Sequence, residues 1–208
     1  MQEGPDQEIA TPRGPARIRV TDPAGPAVSV LVLGHGAGGG VDAPDILALR
    51  DQATASGVRV VLATQPYRVA GRRAPAPAPQ LDEAWTAIVH ALDVRGSGVR
   101  DLPLIVGGRS SGARVACRTA TALGAAGILC LAFPLHPPGK PEKSRAGELP
   151  DDLPTLVLNG DRDAFGVPSP GPHREVAVRP GATHDLRKDV KGTASLAVDW
   201  LRRHGWAT

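Results

Sequence analysis

A serine with a glycine two positions to either side stands at Gly108-Arg109-Ser110-Ser111-Gly112. An apolar run, Leu102–Val106, leads into it, and a stretch rich in small residues (Gly112, Ala113, Ala116, Cys117, Ala120) leads away. Strand, sharp turn, then helix is the context in which a serine is lifted clear of a sheet to attack an acyl carbon. Glycines at the flanking positions let the backbone turn without a side-chain clash. The backbone amide of Ser111, just past the turn, is then placed to stabilise a negative oxygen.

A serine hydroxyl needs a base to take its proton. Six histidines are available: His35, His90, His136, His173, His184 and His204. His90 falls inside a helical pattern and His204 at the end of one. His173 precedes the candidate strand Glu175–Val178, at the wrong edge for a partner of Ser110. His184, in RPGATHDL, follows that strand and precedes the last helix, which puts it at the same sheet edge as Ser110. His35 belongs to a glycine-rich loop, and His136 comes before any acid suited to the task. His184 is therefore the expected base. An acid should hold the imidazole in one tautomer and stabilise its charged form. Asn159-Gly160-Asp161-Arg162-Asp163 follows the strand Thr155–Leu158, and by position both Asp161 and Asp163 qualify.

A second glycine cluster, Gly34-His35-Gly36-Ala37-Gly38-Gly39, ends the apolar run Val28–Leu33. Its spacing matches a dinucleotide fingerprint, which requires a helix to open at the glycines and an acidic residue after the next strand. Gly40 to Ala43 intervene before the helix start at Pro44, and the next strand ends Ala63-Thr64-Gln65. Both requirements fail, so the better reading is a loop whose amides face a developing oxyanion.

The elements needed to hold these loops can be read from the pattern. Candidate strands are Ala16–Thr21, Val28–Leu33, Val58–Ala63, Leu102–Val106, Gly127–Ala132, Thr155–Leu158 and Glu175–Val178. Several are nearly unbroken apolar runs, as in strands covered on both faces. Helices are expected from Pro44 to about Ser56 and across Leu81, Ala84, Trp85, Ile88 and Leu92. Two more are expected after Ser110 and from about Thr193 to His204. This alternation gives an α/β fold, a mostly parallel doubly wound sheet, whose ligands bind beyond the carboxyl ends of the strands. Residues 1–15 are expected to be disordered, leaving one domain over 16–208. The proline-alternating stretch within 68–80 is expected to be extended. Residues 133–154 hold six prolines, at 134, 137, 138, 141, 150 and 154, which rules out a helical cap and leaves a loop at the pocket mouth.

Composition narrows the function. The chain has 208 residues, 41% apolar and 22% charged, with a net charge of +3. Its basic residues are scattered apart from Arg68, Arg72 and Arg73, so no nucleic-acid partner is expected. No apolar run approaches bilayer length and the N-terminus is polar, so neither a membrane partner nor a signal peptide is expected. Cys117 and Cys130 read as buried free thiols of a cytoplasmic protein. No Cys/His cluster has metal-ligand spacing, and neither a metal nor an organic cofactor is implied.

The motifs GHGAGG, PYRVAGRRAP, GGRSSGARVA, FPLHPPGKPEKSR, NGDRD and GATH together resemble the α/β-hydrolase superfamily, in its dienelactone-hydrolase-like region. Within it they are similar to the small hydrolase-like domain shared by testis-expressed protein 30 and a regulatory subunit of the NSL histone-acetyltransferase complex. The order Ser110, Asp, His184 is the one that superfamily uses. The resemblance implies Ser110 as nucleophile, Asp163 as acid and His184 as base, with oxyanion amides from Ala37 and Ser111. His35, Leu135 and His136 are expected to touch a small acyl substrate. Ser111 departs from the family pattern, where relatives often carry methionine, and so does Ala63-Thr64-Gln65. A hydrolase-fold interaction module within a protein complex is the alternative that the motifs leave open, as is a homodimer.

Overall fold

The computed structural model describes residues 2–94 and 101–208. Its strands are β1 (Gln2–Glu3), β2 (Gln7–Ile9), β3 (Ala16–Asp22), β4 (Ser29–Gly34), β5 (Val58–Thr64), β6 (Leu104–Arg109), β7 (Gly127–Leu131), β8 (Thr155–Gly160) and β9 (Arg174–Arg179). The helices are α1 (Pro44–Ala55), α2 (Pro66–Val69), α3 (Ala78–Val94), α4 (Ser111–Thr119) and α5 (Val190–Arg203). The strands form one sheet in the order β1-β3-β5-β4-β6-β7-β8-β9, with β2 also on β3. From β5 to β9 every pairing is parallel, whereas β3 runs antiparallel to β5.

The alternation of side chains along β4 divides the core. Val30 and Val32 pack on one face with Trp85, Ile88 and Leu92 of α3 and with Ala113 and Ala116 of α4. Leu31 and Leu33 pack on the other with Ile46 and Leu49 of α1 and with Trp200 and Leu201 of α5. A strand covered on both faces has no polar side to show, which is why β4 is buried along its whole length. The mostly parallel, doubly wound architecture expected from the sequence is the one observed.

Three departures have physical causes. Residues 1–15 are not disordered: β1 and β2 pair antiparallel with β3, and Ile9 joins the core at 1% exposure. The turn between β2 and β3 closes through Thr11, whose Oγ1 donates to the Gly14 carbonyl at 2.7 Å. Strands of two and three residues carry no readable periodicity, and their order comes from the edge of β3. The stretch 68–80 is only partly extended, because α3 starts at Ala78, inside the proline run. The strand β6 continues to Arg109, three residues beyond its expected end, and so delivers Ser110 directly. Between β7 and β8 the only helical element is a single 3₁₀ turn, Ala146–Glu148, so no cap covers this edge of the sheet.

Candidate active site

Ser110 sits where β6 ends and α4 begins, with φ 52° and ψ −109°. A left-handed φ on a non-glycine residue costs on the order of 1–3 kcal/mol and persists only where the surroundings enforce it. Here the Ser110 amide donates to the Leu131 carbonyl at 2.9 Å, and the Ser110 carbonyl accepts from Arg114 at 3.2 Å. The flanking glycines are required by the end of β4. A Cβ on Gly108 would stand 2.5 Å from the Gly34 carbonyl oxygen, and one on Gly112 would stand 2.6 Å from it.

His184 lies in the loop between β9 and α5. Its Nε2 is 2.9 Å from Ser110 Oγ, and its Nδ1 is 2.8 Å from Asp163 Oδ2. With Nδ1–H donating to the carboxylate, Nε2 is left to accept the serine proton. The Asp163 side chain is fully buried, whereas that of His184 is 21% exposed. Asp163 accepts further bonds from the Phe165 amide at 2.8 Å and from Asn159 Nδ2 at 3.2 Å. Phe165 also stacks on the His184 ring, with centroids 4.1 Å apart.

Of the two candidate acids, Asp163 and not Asp161 meets the histidine. Asp161 is exposed and accepts from the Gly181 amide at 2.6 Å, closing the turn after β9. His173 lies at the opposite sheet edge, where its carbonyl accepts from Thr155.

His35 is held inside the glycine loop. It is 2% exposed, and backbone groups occupy both ring nitrogens. Nδ1–H donates to the Gly36 carbonyl at 2.9 Å, and Nε2 accepts from the Gln65 amide at 3.1 Å. Burial lowers its pKa, with the nearby Arg68 charge acting in the same direction, which keeps the ring neutral and Nε2 able to accept. His35 therefore shapes the glycine loop with both nitrogens engaged, and its ring lines a small recess beside Ser111. Tyr67 holds the same loop, its hydroxyl donating to the Ala37 carbonyl at 2.8 Å. The loop runs beside the elbow, since a Cβ on Gly36 would stand 3.6 Å from Ser110 Cβ. Leu135 and His136 are half-buried in the β7–β8 loop. The His136 amide donates to the Phe165 carbonyl at 2.9 Å, which ties that loop to the one carrying Asp163.

The sequence reading missed two groups. Asn159, fully buried at the end of β8, accepts from the Phe133 amide at 2.9 Å while its Nδ2 faces the Phe133 and Gly166 carbonyls and Asp163. The other is the pair Arg109–Asp45, at 3.1 Å, whose Arg109 Nη2 also donates to the His184 carbonyl at 3.1 Å. The available signals were slight: an Asn at the head of NGDRD, and a charged residue inside the elbow.

A model of the alpha/beta hydrolase domain family matches residues 27–195, from just before β4 into α5. The chain belongs to the α/β-hydrolase family. Among solved structures this α/β hydrolase is similar to a lidless serine hydrolase from Xanthomonas campestris, with 18% identity, a TM-score of 0.77, and coverage of 98% of this chain and 96% of that one. An α/β serine hydrolase homologue from Coxiella burnetii matches with 19% identity, a TM-score of 0.77, and 98% coverage of both chains. A dienelactone hydrolase from Anabaena variabilis matches with 16% identity, a TM-score of 0.75, and 97% coverage of both. At such identities the likeness establishes the fold. A search of curated proteins found no match.

Proposed function

We propose that this α/β hydrolase is a serine hydrolase that cleaves a small carboxylic ester, or a related acyl bond, through an acyl-enzyme. The observation that carries the reading is the continuous relay Ser110 Oγ, His184 Nε2, His184 Nδ1, Asp163 Oδ2, with both links under 3 Å. Ser110 Oγ attacks the acyl carbon and its proton passes to His184 Nε2. The resulting imidazolium is stabilised by Asp163. It returns the proton to the departing alcohol, and water then releases the acid by the same route.

The amides of Ala37 and Ser111 serve as the oxyanion donors. Two features support Ala37. A trans peptide holds its C=O and N–H on opposite sides. The Gly36 carbonyl is held by His35 Nδ1–H and by the Gly39 amide at 3.3 Å, so the Ala37 N–H is turned the other way, out of that turn. Ser111 is the first residue of α4, and amides of a first helical turn have no intrahelical acceptor. No cofactor enters these steps. Leu135 and His136, on the loop beside Phe165, are the proposed substrate contacts. Two free thiols, Cys117 and Cys130, 3.5 Å apart in the core, fit a reducing compartment such as the cytoplasm. The resemblance of GHGAGG, GGRSSGARVA and GATH to the hydrolase-like domain of testis-expressed protein 30 and the NSL-complex subunit belongs to the same proposal.

The test is a fluorophosphonate probe together with nitrophenyl acetate hydrolysis. Wild type should label at Ser110 and Ser110→Ala should not, with a loss in kcat of roughly 10⁴-fold or more. Ser111→Ala should still label, because it keeps the amide. A probe adduct mapped by mass spectrometry to Ser111 would contradict the assignment. A folded wild-type chain that neither labels nor hydrolyses would point instead to a fold used for binding a partner.

A further inference from the structure

Arg109 occupies the variable position of the elbow and takes no part in the proton relay, yet its side chain is only 17% exposed. Its guanidinium reaches three elements. Nε donates to Asp45 Oδ2 at 3.1 Å in the first turn of α1, and Nη2 donates to the backbone carbonyl of His184 at 3.1 Å. Nη1 lies against the glycine loop, 3.0 Å from where a Cβ on Gly36 would stand. We infer that Arg109, aimed by Asp45, is a positioning residue that holds the His184 loop and the glycine loop in register with the nucleophile. This inference rests on the hydrolase reading and says what keeps its base within reach of Ser110.

The His184 loop needs such an anchor. On one side it is tied down by Asp161, through the Gly181 amide, and by the Ala182 carbonyl, which accepts from the Arg162 amide at 3.0 Å. On the other side Arg109 grips the His184 carbonyl itself. A guanidinium suits the task because it donates along several fixed directions at once, whereas an ammonium acts as a point charge.

The energetics also favour a functional reading of the pair. The Asp45 carboxylate is 1% exposed. Burial raises its pKa, and the opposing attraction of Arg109 and the bonds from the Arg109 side chain and the Ile46 amide do not restore it. The other charges on the cleft beside it are Asp42 from the glycine loop and Asp185 and Arg187 from the His184 loop. A carboxyl whose pKa is raised by folding binds its proton more tightly in the folded state. The stability it contributes is present at low pH and lost as pH rises through the ordinary aspartate range to the raised value. Ionisation of Asp45 therefore opposes folding. An isosteric asparagine should be tolerated by the fold and felt by the site.

The experiment compares Arg109→Met, Arg109→Lys and Asp45→Asn with wild type. Arg203→Met, which breaks an exposed pair with Glu175, serves as control. Both Arg109 variants should lose kcat for nitrophenyl acetate by roughly 100-fold, with KM changed little, as expected for a misplaced reacting group. Crystal structures of these variants should show His184 Nε2 withdrawn from hydrogen-bond reach of Ser110 Oγ. Asp45→Asn should lower kcat by less, with a Tm at pH 7 equal to or above that of wild type. Retention of kcat in Arg109→Met, or His184 unmoved in its structure, would overturn the inference. So would an Asp45→Asn variant that loses Tm but keeps the kcat of its folded fraction, since that is the behaviour of a merely structural pair. Should Arg109→Met fail to fold, Arg109→Lys and Asp45→Asn carry the same contrasts. Should wild type prove inert, the hydrolase reading fails, while the Ser110–His184 distance in the variants still tests the clamp.

Discussion

Asp161 and Asp163 stand two residues apart on one loop, and their surroundings give them different work. Asp163 is buried, and its two oxygens are saturated by His184, Asn159 and the Phe165 amide. Asp161 is exposed and closes a turn through the Gly181 amide. An amide in place of Asp163 would offer an N–H or a weaker acceptor to His184 Nδ1 and so disturb the tautomer. Asp163→Asn should therefore cost about 10⁴-fold in kcat, the scale known for such a change in serine proteases. Asp161→Asn keeps an oxygen for the Gly181 amide, so the tie on the His184 loop survives and kcat should stay within about threefold of wild type. Steady-state kinetics on the two variants decide it, and equal losses would reverse the assignment. Position along the chain could not separate these aspartates, because both follow β8 at the correct edge. Burial separates them, and burial depends on Asn159 and Phe165, whose roles come from the tertiary fold. The bonds of His35 are hidden from sequence for the same reason: only the fold shows that backbone groups take both of its nitrogens.

At the scale of elements, the elbow is a contact between backbones. β4, β6 and α4 approach so closely that Gly34, Gly108 and Gly112 meet with no room for a methyl group. A Cβ at position 112 would lie 2.6 Å from the Gly34 carbonyl carbon and oxygen and 2.9 Å from the His35 carbonyl oxygen. Backbone atoms cannot swing aside as a flexible side chain does, so Gly112→Ala must push the glycine loop away from Ser110. Such overpacking costs roughly 1–3 kcal/mol. Urea denaturation should show that loss, and fluorophosphonate labelling should fall with it. Gly147→Ala, with nothing within 4 Å of the new Cβ, should match wild type in both assays. Unchanged labelling in Gly112→Ala would mean that the close approach is not what holds the elbow. The central strands and the four longer helices were legible because apolar runs, helix-start residues and side-chain spacing are set locally, whereas the single turn of α2 was not foreseen. The short strands β1 and β2 were not, since between Gln2 and Pro15 only Ile9 is a large apolar residue. Their order is supplied by the unpaired edge of β3 and by ion pairs such as Arg19 with Asp6.

At the scale of the molecule, the open carboxyl edge of the sheet sets what can bind. The β7–β8 loop has no α-helix, and it is pinned to the body rather than hinged over the site. Glu148 pairs with Arg114 and Arg118 of α4, and Arg118 also pairs with Asp82 of α3. Beside Ser111 a narrow recess of about 10 Å³ lies between His35, Gln65, Tyr67, Leu81, Trp85 and Val115. The cleft on the Arg109 side, about 240 Å³, is lined by Asp42, Asp45, Asp185 and Arg187 and is too polar to favour hydrocarbon. Sites that enclose drug-sized ligands run from about 300 Å³ upward. A long acyl chain would thus lie mostly in water, and burial contributes about 0.8 kcal/mol per methylene only for methylenes that are covered. Acetyl and butyryl nitrophenyl esters should be hydrolysed with higher kcat/KM than the lauroyl and palmitoyl esters, measured at concentrations where all stay monomeric. The rise from acetyl to butyryl should be small, because the recess by Ser111 is filled almost at once. Filling it further by Ser111→Met should shift the preference toward acetyl without preventing fluorophosphonate labelling, since the amide at 111 remains. A kcat/KM that climbs steadily to palmitate would mean that the β7–β8 loop folds over the chain and that the ion pairs of Glu148 do not hold it down.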